Sequence, residues 1–344
     1  MELSPVERYK KRHVLPDGFI PGPNKPKNID FLFPGLHHVC ALQSEGLHIW
    51  HAFRDQRFIS QLFLAYLNGL VGHHGKFGCR PHFPVSGRRK PNGSHYYPAL
   101  MKPVNYVIPG CDHKDLPFTL SAITKRNSVQ ETALRNWYNE AHNFSRVQSQ
   151  SNSRDTGCFS SDIMHLGTFN LSDLLVTLWR GTLDHDRDDL PSSWPWAVLN
   201  GEIWETHGRD VAAATPFLPG SSDRPPRNIA EKINSGYKAW EWLLCLYGSA
   251  PALLYGVLPE PYYSHFCKLV HAMHIIHKHH ICADDLQLAG NLLESFVQEI
   301  ETFYYQRRVG RLHFCRKSIH ALLHLAPEVT RIGPPICLFE FMYV

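Results

Sequence analysis

The chain has 344 residues, a hydrophobic content of 43% and a formal net charge of +4. This composition excludes a wholly disordered chain, and the mild charge permits nucleic-acid binding without requiring it. No apolar run is long enough to span a bilayer. The nine cysteines follow no regular framework and no secretory signal opens the sequence. We therefore expect a soluble, intracellular protein with reduced cysteines.

Residues 1–118 form a first region rich in proline, glycine and histidine. The run Phe58–Leu70 has helical spacing at Phe58, Leu62 and Ala65, which predicts a helix. Residues 71–118 are dense in glycine, proline and basic residues, which indicates loops and short strands. Residues 119–160 are polar throughout, and we interpret them as a linker.

Residues 161–330 change character and predict an α-helical domain, followed by an atypical tail over 331–344. Residues 284–305 carry apolar side chains at the helical period. Ser193 and Pro195 resemble a cap and a first turn, so a helix is expected to begin there, and Trp196, Ile203, Trp204 and Val211 could face one core. An earlier apolar helical face consists of Leu171, Leu174, Leu175, Leu178 and Trp179.

Cysteine and histidine residues crowd the loop-rich part of the first region. Cys79 with His82 and Cys111 with His113 could supply two pairs of ligands to a structural Zn²⁺ ion, which requires four nitrogen or sulphur donors. The alternative is a set of ordinary polar loop residues, because the spacing is irregular. The tight Cys-x-His spacing also favours that alternative.

Asp162 and His165 lie three residues apart ahead of the first apolar helix, close enough to meet around a turn. Such a pair can position a metal ligand or a phosphate, but Asp162 is also a suitable helix N-cap. Neither a Gly-x-Ser-x-Gly elbow nor a phosphate-binding loop of the P-loop type occurs, so hydrolase and nucleotide-binding activities lack support.

Short basic clusters suit contact with a phosphate backbone. Solvated helix ends are an equal alternative, since cations favour helix C-termini. The candidate nucleic-acid contacts are Arg88, Arg89, Lys90, Arg307, Arg308 and Arg311.

Several longer strings, taken together and in order, go beyond such spacing. They are GPNKPKNIDFLFPGLHH (22–38), LNGLVGHHGKFGCR (67–80), YYPALMKP (96–103), GCDHKD (110–115), DIMHL (162–166), LWRGTLD (178–184), DRPPRNIAEKINSGYKAWEWLL (223–244), PALLYGVLP (251–259), YYQRR (304–308) and LHFCRKSIHALLHLAPE (312–328). As an ordered set they resemble the transposases of fungal CACTA/En-Spm-type DNA transposons. The resemblance covers nearly the whole chain except about 119–160.

This resemblance implies an RNase H-like nuclease in which two aspartates and a glutamate bind two Mg²⁺ ions. The ions activate water, and then a DNA 3′-hydroxyl, for attack on phosphodiesters. It also implies a Cys/Asp-x-x-His signature followed by a long helical insertion. Asp162 and His165 match that signature, and the helices after residue 168 resemble the insertion. DNA at transposon ends is the implied partner, and the nucleus the implied location.

The chain departs from that family at its implied metal ligands. An Asp-Gly-Pro stretch is expected before Leu67, whereas Leu64 continues through Ala65 and Tyr66 directly into Leu67. The first aspartate is expected upstream of the Gly-Pro-Asn-Lys-Pro run, and this chain starts too late to contain it. After the Gly-Pro-Pro-Ile run (333–336) a Gln-Trp pair and a glutamate-bearing helix are expected, whereas the sequence continues with Cys-Leu-Phe-Glu-Phe-Met-Tyr-Val. A second cysteine is expected near Phe83 and is absent, which weakens the zinc site. We therefore expect a truncated, catalytically inactive derivative.

The expected fold class is α+β and mainly α, with a partial RNase H-like α/β region followed by a large α-helical, insertion-like domain. Two other functions stay open. One is a non-enzymatic DNA- or protein-binding module that holds DNA or associates with a full-length transposase. The other is a metal-stabilised module with no nucleic-acid role.

Overall fold

The computed structural model describes residues 47–51, 56–60, 75–76, 86–118, 163–218, 225–233 and 236–335. The chain divides into two compact units, residues 1–69 with 144–159 and residues 70–143 with 160–344. The described part of the first unit is an antiparallel hairpin of β1 (Leu47–His51) and β2 (Gln56–Ser60), with Leu47 opposite Ser60. The predicted helix is therefore wrong at Phe58–Ser60, where aromatic and β-branched residues favour a strand. The rest of that run, 61–70, and the predicted linker lie outside the described residues.

In the second unit every regular element described from residue 163 onward is helical, which confirms the mainly α prediction for that region. Its α-helices are α1 (Leu171–Arg180), α2 (Gly201–Ala213), α3 (Ile229–Lys232), α4 (Ala239–Leu243), α5 (Ala250–Leu253), α6 (Tyr262–Ile276), α7 (Ala283–Glu299), α8 (Lys317–Ala321) and α9 (Leu325–Ile332). Wider π-helical turns lie at His165–Asn170, Leu244–Ser249 and Ile300–Tyr305, and tighter 3₁₀ turns at Pro191–Ser193, Thr215–Phe217, Val309–Phe314 and Leu322–His324.

None of the helices in the described ranges combines the length and the apolar character that a membrane crossing requires. The two short hairpins are the only strands among the described residues. These strands do not form an RNase H-like sheet by themselves, so the RNase H-like region stays a prediction.

Helix α1 forms because apolar side chains recur at the helical period. All five members of the predicted stripe are buried, namely Leu171, Leu174, Leu175, Leu178 and Trp179. The helix ends at Gly181, whose left-handed φ of 66° lets its N–H reach the carbonyl of Leu178.

The segment between α1 and α2 departs from the predicted helix. Residues 194–200 have no regular helical structure, and α2 begins only at Gly201. Trp196, Trp204 and Val211 are buried as expected, but Ile203 is 49% exposed and does not face the core. The indole of Trp196 packs edge-on against Tyr262 and Tyr304. Packing of this tryptophan therefore overrides the local signal for a helix start.

Helices α6 and α7 form a tightly packed hairpin. His265 of α6 is fully buried, stacks on the Phe296 ring at 4.2 Å and bonds through Nε2 to the Phe296 carbonyl oxygen at 3.0 Å. Burial lowers the pKa of His265 to about 3, so its imidazole is neutral and donates this bond. Lys268 pairs with Glu299 one turn along the same seam.

The main core lies where α1, α6 and the end of α7 meet. Trp179 packs edge-on against Phe266 with ring centroids 5.1 Å apart. Its Nε1 donates to the Tyr304 hydroxyl at 3.3 Å. Aromatic side chains thus fill the centre of the helical body, and the Tyr304 hydroxyl gives the buried indole its hydrogen-bond partner.

Residues 86–118 are mostly irregular, apart from β3 (Arg88–Arg89) paired antiparallel with β4 (Tyr96–Tyr97). They lie in the same compact unit as the helices and share a small core with the chain after α7. That core consists of Ala99, Tyr106, Ile108, Cys111, Tyr305, Leu312 and Cys315. The few apolar side chains of this segment cannot enclose a core alone. The predicted boundary at residue 118 therefore does not separate two cores in the described structure.

Candidate nucleic-acid interface

The structure separates the three predicted contacts Arg88, Arg89 and Lys90. Arg88 is fully buried, and each of its five guanidinium N–H groups donates to a main-chain carbonyl oxygen. The acceptors, at 2.8–3.3 Å, are the carbonyls of Ala99, Leu100, Cys111, His113 and Lys114. No N–H remains for a phosphate. The prediction that Arg88 contacts DNA is therefore corrected: this side chain holds residues 86–118 together.

A buried carboxylate faces the same peptide groups from the other side. Glu301 accepts the main-chain N–H groups of Leu100 and Met101, at 2.7 Å each. The carbonyls of those two peptide units, on Ala99 and Leu100, accept from Arg88. Each peptide dipole thus points its positive end at the carboxylate and its negative end at the guanidinium. This arrangement ties residues 99–101 to the end of α7.

Burial raises the pKa of Glu301, whereas the two N–H donors and the charge of Arg88 lower it, and the outcome is about 7. Glu301 is 2% exposed, so its carboxylate stabilises the fold and is not accessible to a ligand. The sequence did not mark it, because a glutamate within an apolar helical stripe gives no local sign of its partners 200 residues away.

Arg311 is also buried and occupied. Its guanidinium donates to both carboxylate oxygens of Asp189, to the Tyr304 carbonyl and to the Gln306 side chain. It also lies 5.2 Å from the centre of the Trp196 ring. Such a desolvated, bidentate pair fixes the chain after α7 to the loop after α1. The prediction that Arg311 contacts DNA is corrected for the same reason as that for Arg88.

Asp189 is the carboxylate that pairs with both Arg308 and Arg311. Burial by itself raises the pKa of Asp189, but hydrogen bonds from Arg311 and Trp194 and the charge of Arg308 bring it down to about 2. Arg308 donates to Asp189 at 2.8 Å and is 43% exposed. Arg308 is therefore a surface cation whose charge is already compensated.

Lys90 and Arg89 lie at the surface but in different settings. Lys90 is 3.6 Å from Asp186, within an acidic loop formed by residues 184–189. Arg89 is partly buried and donates to the carbonyl of Gly93 at 3.2 Å. Exposed carboxylates of the acidic loop, on Asp184 and Asp186, repel a nucleic acid that approaches Lys90.

Arg307 lies at a depression on the surface, unlike the other predicted cations. It lines a shallow, open depression together with Lys102, Pro103, Val104, Lys114 and Asp115. Its guanidinium pairs with Asp115, and its Nη1 also donates to the Lys102 carbonyl at 3.3 Å. Within the described ranges the amines of Lys102 and Lys114 have no ion-pair partner. Three cations and one carboxylate thus surround this depression.

The backbone holds Arg307 in an unusual conformation. Gln306 and Arg307 have φ values of 54° and 55°, in the left-handed region that residues with a Cβ rarely adopt. Each such residue costs on the order of 1 kcal/mol, a cost that the surrounding bonds must offset. Among those bonds, the Arg307 carbonyl accepts from Val104 N–H at 2.9 Å and the Gln306 N–H donates to the Glu301 carbonyl at 2.8 Å. The turn fixes the position from which Arg307 reaches the depression.

Of the proposed catalytic pair, Asp162 and His165, the structure describes only His165. Asp162 lies outside the described residues, so its distance from His165 stays a prediction. His165 is exposed at the start of the first π-helical turn, with its ring 5.6 Å from the Phe169 ring. Among the residues that the structure describes, no three His, Cys, Asp or Glu side chains converge as metal ligands. No Mg²⁺-dependent step can therefore be derived from the described residues.

Two of the four predicted zinc ligands, Cys79 and His82, also lie outside the described residues. Cys111 is 1% exposed, and the Nε2 atom of His113 is buried without a hydrogen-bond partner in the part of the chain that the structure describes. Burial lowers the pKa of His113 to about 4, which keeps the imidazole in its neutral, metal-binding form. These features fit a zinc donor at His113, whereas Cys111 packs within the small apolar core.

The main chain brings the described residues on either side of 77–85 together beside Gly110. The N–H of Gly87 donates to the carbonyl of Lys76 at 2.6 Å, and Ser86 Oγ donates to the carbonyl of Gly110 at 2.9 Å. Residues 77–85, which include Cys79 and His82, are thus flanked by residues that contact one another and Gly110.

No protein-family model, no curated protein and no solved structure matches this chain. The resemblance to CACTA-type transposases consequently stays a prediction from the ordered sequence strings.

Proposed function

We propose that this chain is a transposase-derived protein that binds DNA phosphates and does not cut DNA. The observation that carries the proposal is the open depression in which Lys102, Lys114 and Arg307 surround a single carboxylate, Asp115. Exposed cations of this kind neutralise phosphates and release counterions, which is the main source of sequence-independent affinity for DNA. The ordered strings of the sequence support the transposase origin.

The proposed inactivity is supported by the internal departure of the sequence near Leu64. Two-metal phosphoryl transfer requires carboxylates that hold both ions, and each missing ligand leaves an oxygen without activation. The expected aspartate before Leu67 is absent. Binding without strand cleavage is what such a derivative retains.

The test is the affinity for a mixed-sequence 24-base-pair duplex, measured by fluorescence anisotropy at several salt concentrations. Three phosphate contacts predict a slope of about −2.7 for the logarithm of the binding constant against that of salt. Lys102→Gln with Lys114→Gln should weaken binding at least tenfold at ~50 mM salt and reduce the slope by about two.

The matched control is Arg209→Gln with Lys238→Gln, which removes the same charge from exposed positions on α2 and just before α4. We expect it to retain nearly wild-type affinity. An equal loss in both double variants would show that overall charge, rather than the depression, governs binding. Lack of binding by the wild-type chain at low salt would contradict the proposal.

A second candidate property is a structural zinc site at His113. The buried Nε2 atom, which has no hydrogen-bond partner among the described residues, favours it, as do the contacts of Lys76 with Gly87 and of Ser86 with Gly110. Zinc would supply a local cross-link in a segment with a small apolar core. This property is compatible with DNA binding, and measuring the zinc content of the purified chain and of His113→Ala tests it.

A further inference from the structure

Asp115 occupies the position at the depression where an incoming anion would meet Arg307. Its carboxylate accepts the Lys102 N–H at 2.8 Å through Oδ1 and pairs with the guanidinium of Arg307 through both oxygens. The planar guanidinium fork matches a carboxylate and a phosphate with the same two-bond geometry. An internal carboxylate and an external phosphate therefore compete for the same donors.

Both partners of this pair are accessible to solvent. The side chains of Arg307 and Asp115 are 40% and 43% exposed, whereas the buried ion pair of Arg311 with Asp189 is 4% and 5% exposed. An exposed pair contributes little to stability, since water and salt screen it. A phosphate can replace the carboxylate without opening the core.

Bonds other than the ion pair also hold Arg307 in position. Its carbonyl accepts from Val104 and its Nη1 donates to the Lys102 carbonyl, so two bonds other than the ion pair hold it. The amines of Lys102 and Lys114 line the same depression. Arg307 is thus preorganised, two lysine amines lie beside it, and one negative charge lies among the three cations.

We propose that Asp115 acts as an internal competitor that occupies Arg307 and lowers the affinity of this depression for the phosphates of DNA. The inference rests on the proposed DNA binding and specifies how that site is regulated. Because Asp115 occupies the guanidinium of Arg307, a single phosphate has to displace it and therefore binds weakly. A contiguous backbone, which also engages Lys102 and Lys114, displaces Asp115 from Arg307.

The test compares Asp115→Asn with the wild-type chain, using the same 24-base-pair duplex and salt series. Asparagine retains an oxygen that accepts the Lys102 N–H but loses the charge that pairs with Arg307. At ~50 mM salt we expect binding to be about fivefold tighter, because DNA no longer has to break the exposed ion pair between Asp115 and Arg307 before a phosphate binds. The salt slope should stay close to that of the wild-type chain, since DNA displaces Asp115 from Arg307 and engages the same three cations in both proteins.

Two controls separate this effect from general changes in charge or folding. Asp188→Asn removes the same charge from an exposed position of the acidic loop, and we expect less than about a twofold change. Introduced into an Arg307→Gln background, Asp115→Asn should have almost no effect, as a double-mutant cycle requires of a specific pair. Urea unfolding monitors the fold, and Asp115→Ser is the second variant if the asparagine variant is unstable.

The outcomes distinguish the two proposals. If the wild-type chain binds DNA and neither Asp115 variant binds it more tightly, the competitor role is refuted and DNA binding stands. An equal gain in the Asp188 control or in the Arg307→Gln background would also refute it. If neither the wild-type chain nor the Asp115 variants bind, both proposals fail.

Discussion

Replacing Arg88 with methionine should detach residues 86–118 from the helical body. The change removes five hydrogen bonds, of which those to Ala99, Leu100 and Cys111 are buried. Each buried carbonyl left without a donor costs about 1 kcal/mol, the two partly buried bonds cost less, and Glu301 loses its nearest buried cation. The sum is a loss of about 4 kcal/mol, a large part of the 5–15 kcal/mol typical of a domain.

Urea unfolding measures this loss, and hydrogen exchange of the amides in 86–118 localises it. The matched control is Arg89→Met, which removes an equal charge from the next residue but, among the described residues, only one side-chain hydrogen bond, to Gly93. We expect the control to change stability by less than about 1 kcal/mol. Equal effects of the two variants, or unchanged exchange in 86–118, would refute the role assigned to Arg88.

Three further predictions follow from other features of the chain. Because the pKa of Glu301 lies near 7 rather than at the ordinary 4.5, the folded chain binds more protons than the unfolded chain between these values. Its free energy of unfolding should therefore fall by up to about 3 kcal/mol as pH rises through that window, and Glu301→Gln, measured by urea unfolding, should lack this dependence. Gly208→Ala should cost on the order of 2–4 kcal/mol in thermal unfolding, since a Cβ would lie 2.6 Å from a neighbouring Cβ, whereas Gly248→Ala, with its nearest neighbour at 3.9 Å, should be nearly neutral. Elemental analysis of the purified chain should find about one zinc, lost in His113→Ala but not in His165→Ala, and a metal-free wild-type chain would contradict the zinc site.

Helical periodicity correctly predicted those features of the fold that depend on local sequence, namely the buried face of α1 and the extent of α7. The stripe from Leu171 to Trp179 is buried as expected, and α7 with its π-helical extension covers the predicted 284–305. These predictions succeed because the side chains of one helix face the same core at a regular interval. The predicted helix start at Ser193 was wrong, because the chain there packs the Trp196 side chain into the core and the helix begins only at Gly201.

The candidate site was harder to predict, since its important partners are distant in sequence. Clustered arginines suggested a phosphate-binding surface, but a sequence cannot show which of them find internal acceptors. Arg88 uses five carbonyls and Arg311 uses Asp189, so both are buried. The members that the sequence missed, Lys102 and Lys114, lie within the strings YYPALMKP and GCDHKD. Only the fold brings these two strings to Arg307.

The most direct test of the account is one electrophoresis experiment on labelled duplex DNA, at low salt with Mg²⁺ or Mn²⁺ and increasing amounts of the purified chain. The account predicts a retarded complex whose DNA strands stay intact at every protein concentration. Metal-dependent nicking that disappears in Asp162→Ala would contradict the proposed inactivity. DNA that migrates unretarded at the highest protein concentration would contradict the binding function itself.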